Sequence, residues 1–342
     1  MIYLPNILIV IFTFLMQPLL ADYSDQRGMT NLLGNETWLR CADEMSSKNS
    51  NVYELSYVRS GTMPKSPFAG EYKPKFLPSY GLPGSKQFYT MDVLNKDVNP
   101  SNQGTQIDAL GHFGYIDEPW DGEGEFNPNG AKFFGNLTLQ DVKPTPNSPL
   151  LKLGIETVPP IITTAILLDV RKHALNGIAM EAGEYVTVEH LKYALSKTSI
   201  ADRGILPGDI VLINTGWSDH YQDPDEKKLY YSMRPGISYN SAKFLASKKV
   251  VGVGLDTCCV DSAGDPNSDK VFEESKQNPK GIGAPAHHYF LTQVGIHTLE
   301  NFRLKELVKD NVELSCAIIL PLLIKGSSGS PIRPIAIGKP VR

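Results

Sequence analysis

Four short apolar runs recur along the last two thirds of the chain, with helical patterns between some of them. The runs are residues 165–170, 209–214, 250–255 and 316–324. Apolar runs of this length are typical of buried strands, whose side chains pack on both faces of a sheet. Because strands that alternate with helices form layered sheets, the sequence predicts an α/β domain.

Two segments between these runs have the pattern of capped helices. Thr187 precedes a segment whose apolar residues fall on one helical face, and Ser238 precedes a segment that extends through Lys248. Thr and Ser side chains accept hydrogen bonds from the free N–H groups of a first helical turn, so both are predicted N-caps. A further short helix is expected within residues 299–308.

The first 21 residues differ in character from the rest. They carry no charged side chain, and residues 7–16 are almost purely apolar. This pattern is typical of a secretory signal peptide cleaved after Ala21. The alternative is an uncleaved membrane anchor, but the apolar run is shorter than the ~20 residues that a spanning helix needs. We therefore predict a secreted protein with no stable membrane insertion after cleavage, a polar lead-in over residues 22–60 and one catalytic domain over residues 61–342.

Secretion has consequences for glycosylation and for the cysteines. Asn35 and Asn136 stand in sequons for N-glycosylation. The chain has four cysteines, which are Cys41, Cys258, Cys259 and Cys316. In an oxidising compartment a disulfide is possible, and one of the adjacent cysteines, which point to opposite faces in a strand, could pair with Cys41 or Cys316; the sequence does not determine the pairing. The alternative is that the thiols are buried as small apolar groups.

Charge and missing motifs exclude several classes of protein. The formal net charge is −4, and no basic run stands out, which argues against a nucleic-acid partner. The chain contains no G-x-S-x-G, no H-E-x-x-H and no C-x-x-C. These absences argue against a serine hydrolase, a zincin protease and a zinc ribbon.

One segment concentrates polar side chains at even spacing. Asn102, Gln106, Asp108 and His112 are separated by four, two and four residues, beside Gly and Ala. Even spacings place side chains on one face of an extended strand, provided that the strand continues through the segment. Such a row predicts a functional site rather than a core.

This segment resembles the signature of the cyclase-like hydrolases, a family that includes bacterial kynurenine formamidases and isatin hydrolases. The signature reads His-x-Gly-Thr-His-x-Asp-x-x-x-His, and here Asn102 and Gln106 stand at the positions of its two early histidines. The resemblance extends from about Phe88 to Arg342. Further matching motifs are Leu206-Pro-Gly-Asp209, Thr215-Gly-Trp217, Arg234-Pro-Gly236, Gly254-Leu-Asp256-Thr257, Leu299-Glu300-Asn301 and Gly329-Ser-Pro331.

The resemblance implies a swivelling β/β/α fold, a homodimer and a metal centre. It implies that His112 is the catalytic proton shuttle, a role that suits imidazole. It also brings a later His and Glu to the signature strand, with His287 as an alternative to His288. The implied metal ligands are Asn102, Gln106, Asp108, His288 and Glu300.

Because Asn102 and Gln106 replace two histidines, the signature does not determine which metal ion the site binds, or whether it binds one. Imidazole suits Zn²⁺, whereas carboxylate and amide oxygens suit harder ions. Three alternatives remain. The site takes a harder ion such as Mn²⁺ through Gln106, Asp108, His288 and Glu300; it keeps one weakly bound metal such as Zn²⁺; or it has no metal and the amides bind the substrate.

The expected substrate is a small molecule with an amide or lactam C–N bond. N-formylkynurenine, the substrate of an arylformamidase, is the leading candidate that the resemblance implies. Trp217 follows a predicted strand, where α/β sites often lie, and is predicted with Phe113 and Tyr115 to bind the substrate; wall packing is the alternative for Trp217. Residues 261–285 form a long polar connection that is predicted to be a lid or a substrate-facing loop. The competing functions are a ligand-binding protein without turnover and a cyclase or lyase.

Overall fold

The computed structural model describes residues 24–341 except 68, 82, 84 and 95–100. The predicted signal peptide therefore lies outside the described residues. Among the helices of the described ranges, none is long and apolar enough to cross a membrane.

The described elements are short strands and mostly short helices. The strands are β1 (Asn51–Glu54), β2 (Pro74–Phe76), β3 (Tyr80–Gly81), β4 (Phe88–Tyr89), β5 (Asp92–Leu94), β6 (Gln106–Asp108), β7 (Ile161–Asp169), β8 (Tyr185–Val186), β9 (Ile210–Asn214), β10 (Gly236–Ile237), β11 (Gly252–Leu255), β12 (His297–Glu300), β13 (Leu314–Ile319), β14 (Gly329–Pro331) and β15 (Ile335–Gly338). The α-helices are α1 (Asn35–Ser46), α2 (Leu139–Val142), α3 (Val170–His173), α4 (Val188–Ser196), α5 (Leu229–Ser232), α6 (Tyr239–Ser247), α7 (Pro285–His287) and α8 (Lys305–Lys309). Helix α7 continues into a π-helical segment over His288–Val294.

A mixed nine-stranded sheet forms the centre of the molecule. Its strand order is β1-β15-β13-β7-β9-β11-β12-β6-β14. Strands β7, β9, β11 and β12 are parallel neighbours, whereas the pairs on either side of them are antiparallel. Three two-stranded sheets, β8–β10, β2–β5 and β3–β4, lie outside it. The parallel strands need crossover connections, which several of the helices supply.

The sheet is buried on both faces. Along β9, Ile210 and Leu212 belong to one apolar cluster, while Val211 and Ile213 belong to the other. The second cluster includes the apolar face of α4 and α6. Because successive strand residues point to opposite faces, a strand buried on both sides has a continuous apolar sequence. This burial explains why the four apolar runs are visible in the sequence.

Both predicted helix caps are confirmed. The Thr187 side chain accepts a hydrogen bond from the backbone N–H of His190, and the Ser238 side chain accepts one from the N–H of Ser241. The last predicted strand is displaced, because β13 ends at Ile319 and residues 320–324 are a largely exposed segment. Pro321 lacks an N–H donor, which is consistent with the end of the ladder there.

The N-terminal lead-in joins the sheet through a strand and a disulfide. Strand β1 pairs antiparallel with β15. A disulfide joins Cys41 of α1 to Cys316 of β13, a pairing that leaves the adjacent Cys258 and Cys259 free. The Cys258 thiol is free and buried, as the alternative held, because it packs with the aromatic side chains that follow β9.

Candidate active site

Strand β6 lies between β12 and β14, and this placement assembles the site. The antiparallel register sets Gln106 opposite Glu300 and sets Asp108 opposite Gly329. The condition that one strand continues through the signature is not met, because residues 110–112 form a 3₁₀ turn. His112 therefore reaches the site from a turn after the strand, not from the strand face.

Asp108 is fully buried and holds several hydrogen bonds. Its Oδ1 accepts a bond of 2.6 Å from the Asn102 Nδ2, and its Oδ2 accepts a bond of 2.7 Å from the Thr298 hydroxyl. Burial acts to raise the pKa of Asp108, but electrostatic interactions with His112 and His287 and the hydrogen bonds outweigh it and lower the pKa to about 2. The carboxylate is therefore ionised at neutral pH.

His287 lies between three carboxylates. Its Nε2 is 3.0 Å from Glu300 Oε1 and 3.5 Å from Asp108 Oδ2, and its Nδ1 is 2.5 Å from Asp261 Oδ2. Burial acts to lower the pKa of His287, but its hydrogen bonds to the carboxylates raise the pKa well above the ordinary value. Burial, followed by repulsion from Asp108, raises the pKa of Glu300. In the protein alone, one imidazolium thus neutralises part of a buried acidic cluster.

Asp261 was not among the predicted site residues. Its Oδ1 accepts the Ala286 backbone N–H at the start of α7, and its Oδ2 contacts both the backbone and the ring of His287. A carboxylate behind an imidazole fixes the ring orientation and leaves the other nitrogen facing the site. The sequence signal was limited to its position at the start of the long 261–285 connection.

His287 occupies the position that was expected for His288. The His288 Nδ1 lies 3.2 Å from the Thr292 hydroxyl, and the His288 ring contacts the edge of Tyr115 at 5.0 Å. Adjacent helical residues diverge by about 100°, so only one of two successive histidines can face β6. His287, rather than the predicted His288, is therefore the histidine that faces Asp108 and Glu300.

Asn102 supports Asp108 through its nitrogen rather than offering its oxygen to the centre. The Asn102 Oδ1 accepts hydrogen bonds from the hydroxyls of Ser101 and Ser328, both at 3.0 Å. A Cβ on Gly329 would lie 2.3 Å from the Asn102 Nδ2, so this close approach requires glycine. Asn102 is therefore a positioning residue for Asp108, contrary to the prediction that it is a ligand.

The donor set fits a divalent cation. One ligand atom from each of Asp108, His287 and Glu300 lies within 4.8 Å of the others, and all three residues are buried. The Gln106 Nε2 donates a hydrogen bond of 2.8 Å to Glu300 Oε2, while the Gln106 Oε1 is buried with no hydrogen-bond partner. A half-turn of this amide would direct the unpaired oxygen to the cluster, where a cation would satisfy it. Asp108, His287 and Glu300, with Gln106 as a fourth donor, are the residues that would hold a metal.

His112 connects the cluster to a cavity. Its ring centre lies 6.5 Å from that of His287, and His112 also lines a cavity of about 430 Å³. Tyr115, Phe126 and Phe133 form aromatic parts of the wall. A cavity of this size with few polar groups suits a small, partly aromatic molecule.

The three predicted substrate-binding residues have different surroundings. Tyr115 lines the cavity, and Phe113 stacks on the His287 ring at 4.7 Å. Trp217 is only 3% exposed, and its indole N–H donates to the Tyr230 carbonyl. The structure thus corrects Trp217 to a core residue, which was the packing alternative.

The fold and the site together define an α/β protein with a buried carboxylate–imidazole centre. A sequence model of the family described as Putative cyclase matches residues 53–262. This match covers more than half of the chain, so the chain belongs to that family. The predicted family and α/β cyclase-like fold are therefore confirmed. No curated protein matches the chain.

Solved structures of this fold resemble the chain over most of its length. A crystal structure described as a novel cyclase is 22% identical, with a TM-score of 0.72, and the match covers 91% of this chain and 94% of that one. Isatin hydrolase A from Ralstonia solanacearum is 18% identical, with a TM-score of 0.54 and coverage of 85% and 92%. Isatin hydrolase A from Labrenzia aggregata, bound to benzyl benzoate, is 19% identical, with a TM-score of 0.53 and coverage of 84% and 93%. At these low sequence identities, the similarity shows a shared fold only.

Proposed function

We propose that this protein is a metal-assisted hydrolase of a small amide or lactam C–N bond. The observation that carries the proposal is the buried group of Asp108, His287 and Glu300 beside His112 at the wall of an aromatic cavity. Membership of the cyclase family supports it, as does the shared fold with two isatin hydrolases.

The donor set favours Mn²⁺ over Zn²⁺ as the ion. Two carboxylates and an amide oxygen outnumber one imidazole, and oxygen donors suit the harder ion. When bound, the ion supplies a Lewis acid for the amide carbonyl and lowers the pKa of a bound water. Asp261 holds the His287 ring so that Nε2 faces the centre, and Asn102 and Thr298 hold the Asp108 carboxylate.

The remaining residues bind the substrate and move the proton. His112 is placed to take a proton from the attacking water and to return it to the departing nitrogen. Phe113 covers one face of His287 and limits the access of water to it. Tyr115 and Phe133 offer aromatic surface to the substrate body. N-formylkynurenine, which has an aryl formamide, is the specific substrate that we propose.

Replacing His112 by alanine is expected to lower kcat/KM for deformylation of N-formylkynurenine by about 10²- to 10⁴-fold, because general acid–base catalysis supplies a factor of that size. Incubation with a chelator is expected to abolish turnover by the wild type, and added Mn²⁺ is expected to restore it. The measurement is the absorbance change of the product, with His220→Ala as the control, since His220 packs against Trp217. Equal rates for wild type and His112→Ala would exclude the assigned role.

A ligand-binding protein without turnover is the second candidate, and one observation favours it. The amide nitrogens of Asn102 and Gln106 already donate to the carboxylates of Asp108 and Glu300. Such bonds compensate part of the buried negative charge without an ion. Elemental analysis of the purified protein separates the two candidates, because a metal-free protein with a tightly held small molecule would favour binding. Product analysis separates hydrolysis from a cyclase or lyase reaction.

We also propose that the protein is secreted and forms a homodimer. The Cys41–Cys316 disulfide supports an oxidising compartment. Exposed apolar side chains at Leu320, Leu322 and Leu323 support a self-association surface. Recovery of the protein from the culture medium tests secretion, and light scattering of that sample measures its mass and so tests the homodimer.

A further inference from the structure

Arg59 lies among aromatic side chains and forms no ion pair with any described carboxylate. The centre of its guanidinium is 4.7 Å from the centre of the Tyr72 ring. Its Nε and Nη1 are buried and have no hydrogen-bond partner. Burial lowers the pKa of Arg59, and the neighbouring Tyr72, Tyr231 and Tyr221 act to raise it. The guanidinium is nevertheless charged at any physiological pH, so a partly buried cation has no counter-ion among the described residues.

Two tyrosine hydroxyls near Arg59 also lack partners. The Oη atoms of Tyr221 and Tyr231 are buried without a hydrogen bond of normal geometry. Burial raises the pKa of both tyrosines, so both hydroxyls keep their protons and are donors. The Tyr221 ring stacks on Tyr57 at 3.6 Å, and the Tyr231 ring contacts the edge of Tyr230 at 5.6 Å. Packing thus fixes both donors in place.

Asp223, an acidic side chain beside Tyr221, is already engaged by other donors. Asp223 accepts hydrogen bonds of 2.6 Å from both Ser60 and Thr62, the residues that follow Arg59 closely in sequence. Buried donors without acceptors are costly, and a buried unpaired charge is more so. An anion bound at these donors would satisfy them.

Arg59 adjoins the backbone that carries the proposed catalytic cluster. Its Cγ lies 3.7 Å from the position that a Cβ would take on Gly104, two residues before Gln106. The Asn301 Nδ2 donates a hydrogen bond of 2.8 Å to the Gly104 carbonyl oxygen, and Asn301 directly follows Glu300 in the sequence. Tyr231 interacts with Asn301 and lines a separate cleft of about 630 Å³ that opens to solvent. Arg59 thus lies beside the backbone of the cluster, and Tyr231 lies at an opening to solvent.

We propose that Arg59, Tyr221 and Tyr231 form a subsite for a carboxylate on the substrate. The proposal rests on the proposed function, because the same molecule would present its amide to Asp108, His287 and Glu300. It restricts the substrate class to small amides that carry an acid group. Guanidinium and two hydroxyls offer enough donors for both carboxylate oxygens.

Direct binding tests the subsite without catalysis. Calorimetric titration of the full protein with benzoate, as purified and after chelation, is expected to show binding in both states. Arg59→Met is expected to weaken benzoate by about 10- to 100-fold, since hydrogen bonds to charged groups have this strength. Arg333→Met is the matched control and should bind like wild type, because Arg333 is an exposed arginine. Inorganic phosphate that binds more tightly than benzoate, or benzoate that binds Arg59→Met unchanged, would overturn the proposal.

Two substrates separate failure of the subsite from failure of the function. Arg59→Met is expected to lower kcat/KM for N-formylkynurenine by about 10- to 100-fold and to leave formanilide, which has no carboxylate, within about twofold. An equal loss for both substrates would overturn the subsite and leave hydrolysis standing. Benzoate binding that depends on Arg59, with no turnover of either substrate, would retain the subsite and refute the hydrolase. If Arg59→Met fails to fold, Tyr221→Phe decides: weaker benzoate binding supports the subsite, and unchanged binding overturns it.

Discussion

Replacing His287 by asparagine is expected to lower the affinity for Mn²⁺ by about a hundredfold or more and to abolish turnover. The Asn Nδ2 takes the place of the His Nδ1 and keeps the bond to Asp261, while the Nε2 ligand is lost. Loss of the imidazolium also leaves Asp108 and Glu300 without their neighbour, so we expect a lower melting temperature for the metal-free variant. Calorimetric titration with Mn²⁺ and single-turnover assays measure the two losses.

His288→Asn is the matched control. The His288 side chain contacts Thr292 and Tyr115, so its replacement should change Mn²⁺ affinity by less than about threefold. The two variants have the same composition and differ by one position. If His288→Asn lost the metal and His287→Asn kept it, α7 would be rotated so that His288 faces the site. His288 would then be the ligand instead of His287.

The site residues that strand pairing brings together could be predicted from the sequence. Asp108, Gln106 and Glu300 were predicted together, and strand pairing alone brings them together, since Gln106 is opposite Glu300 in the register of β6 and β12. The choice between His287 and His288 depends instead on the phase of α7. That phase is set by Asp261, whose carboxylate binds the first turn, and no local pattern marks this contact.

In the fold too, features that depend on neighbouring residues were predictable from the sequence, and features that depend on residues far along the chain were not. Thr187 and Ser238 cap their helices through bonds three residues away, so a single sequence contains the whole interaction. Trp217 follows strand β9 as a substrate-binding residue would, but its burial depends on Tyr230 and Tyr231 from a later segment. Asn102 depends on Ser328 and Gly329, more than two hundred residues away. Residues were misassigned where the deciding neighbour is distant in the chain.

The Cys41–Cys316 disulfide is the most distant covalent link, with a sequence separation of 275 residues. Closing so long a loop removes much of the conformational freedom of the unfolded chain, which predicts a stabilisation of about 3–5 kcal/mol. It also fastens α1 to β13, the third strand from one edge of the sheet. The double variant Cys41→Ala, Cys316→Ala is therefore expected to melt about 5–15 °C lower than wild type.

Calorimetry of the two proteins, with and without reductant, measures the effect. The control is Cys258→Ala, which removes a buried but unpaired sulfur and should lose only about 1 kcal/mol. Reductant should lower the melting temperature of wild type towards that of the double variant and leave the double variant unchanged. A wild type whose melting temperature does not respond to reduction would mean that packing of α1 on β7 and β13 holds the lead-in without the bond. Because α1 also flanks the strand that begins the parallel array, loss of the link should increase hydrogen exchange in α1 and β13 before it affects β6 and the cluster of Asp108, His287 and Glu300.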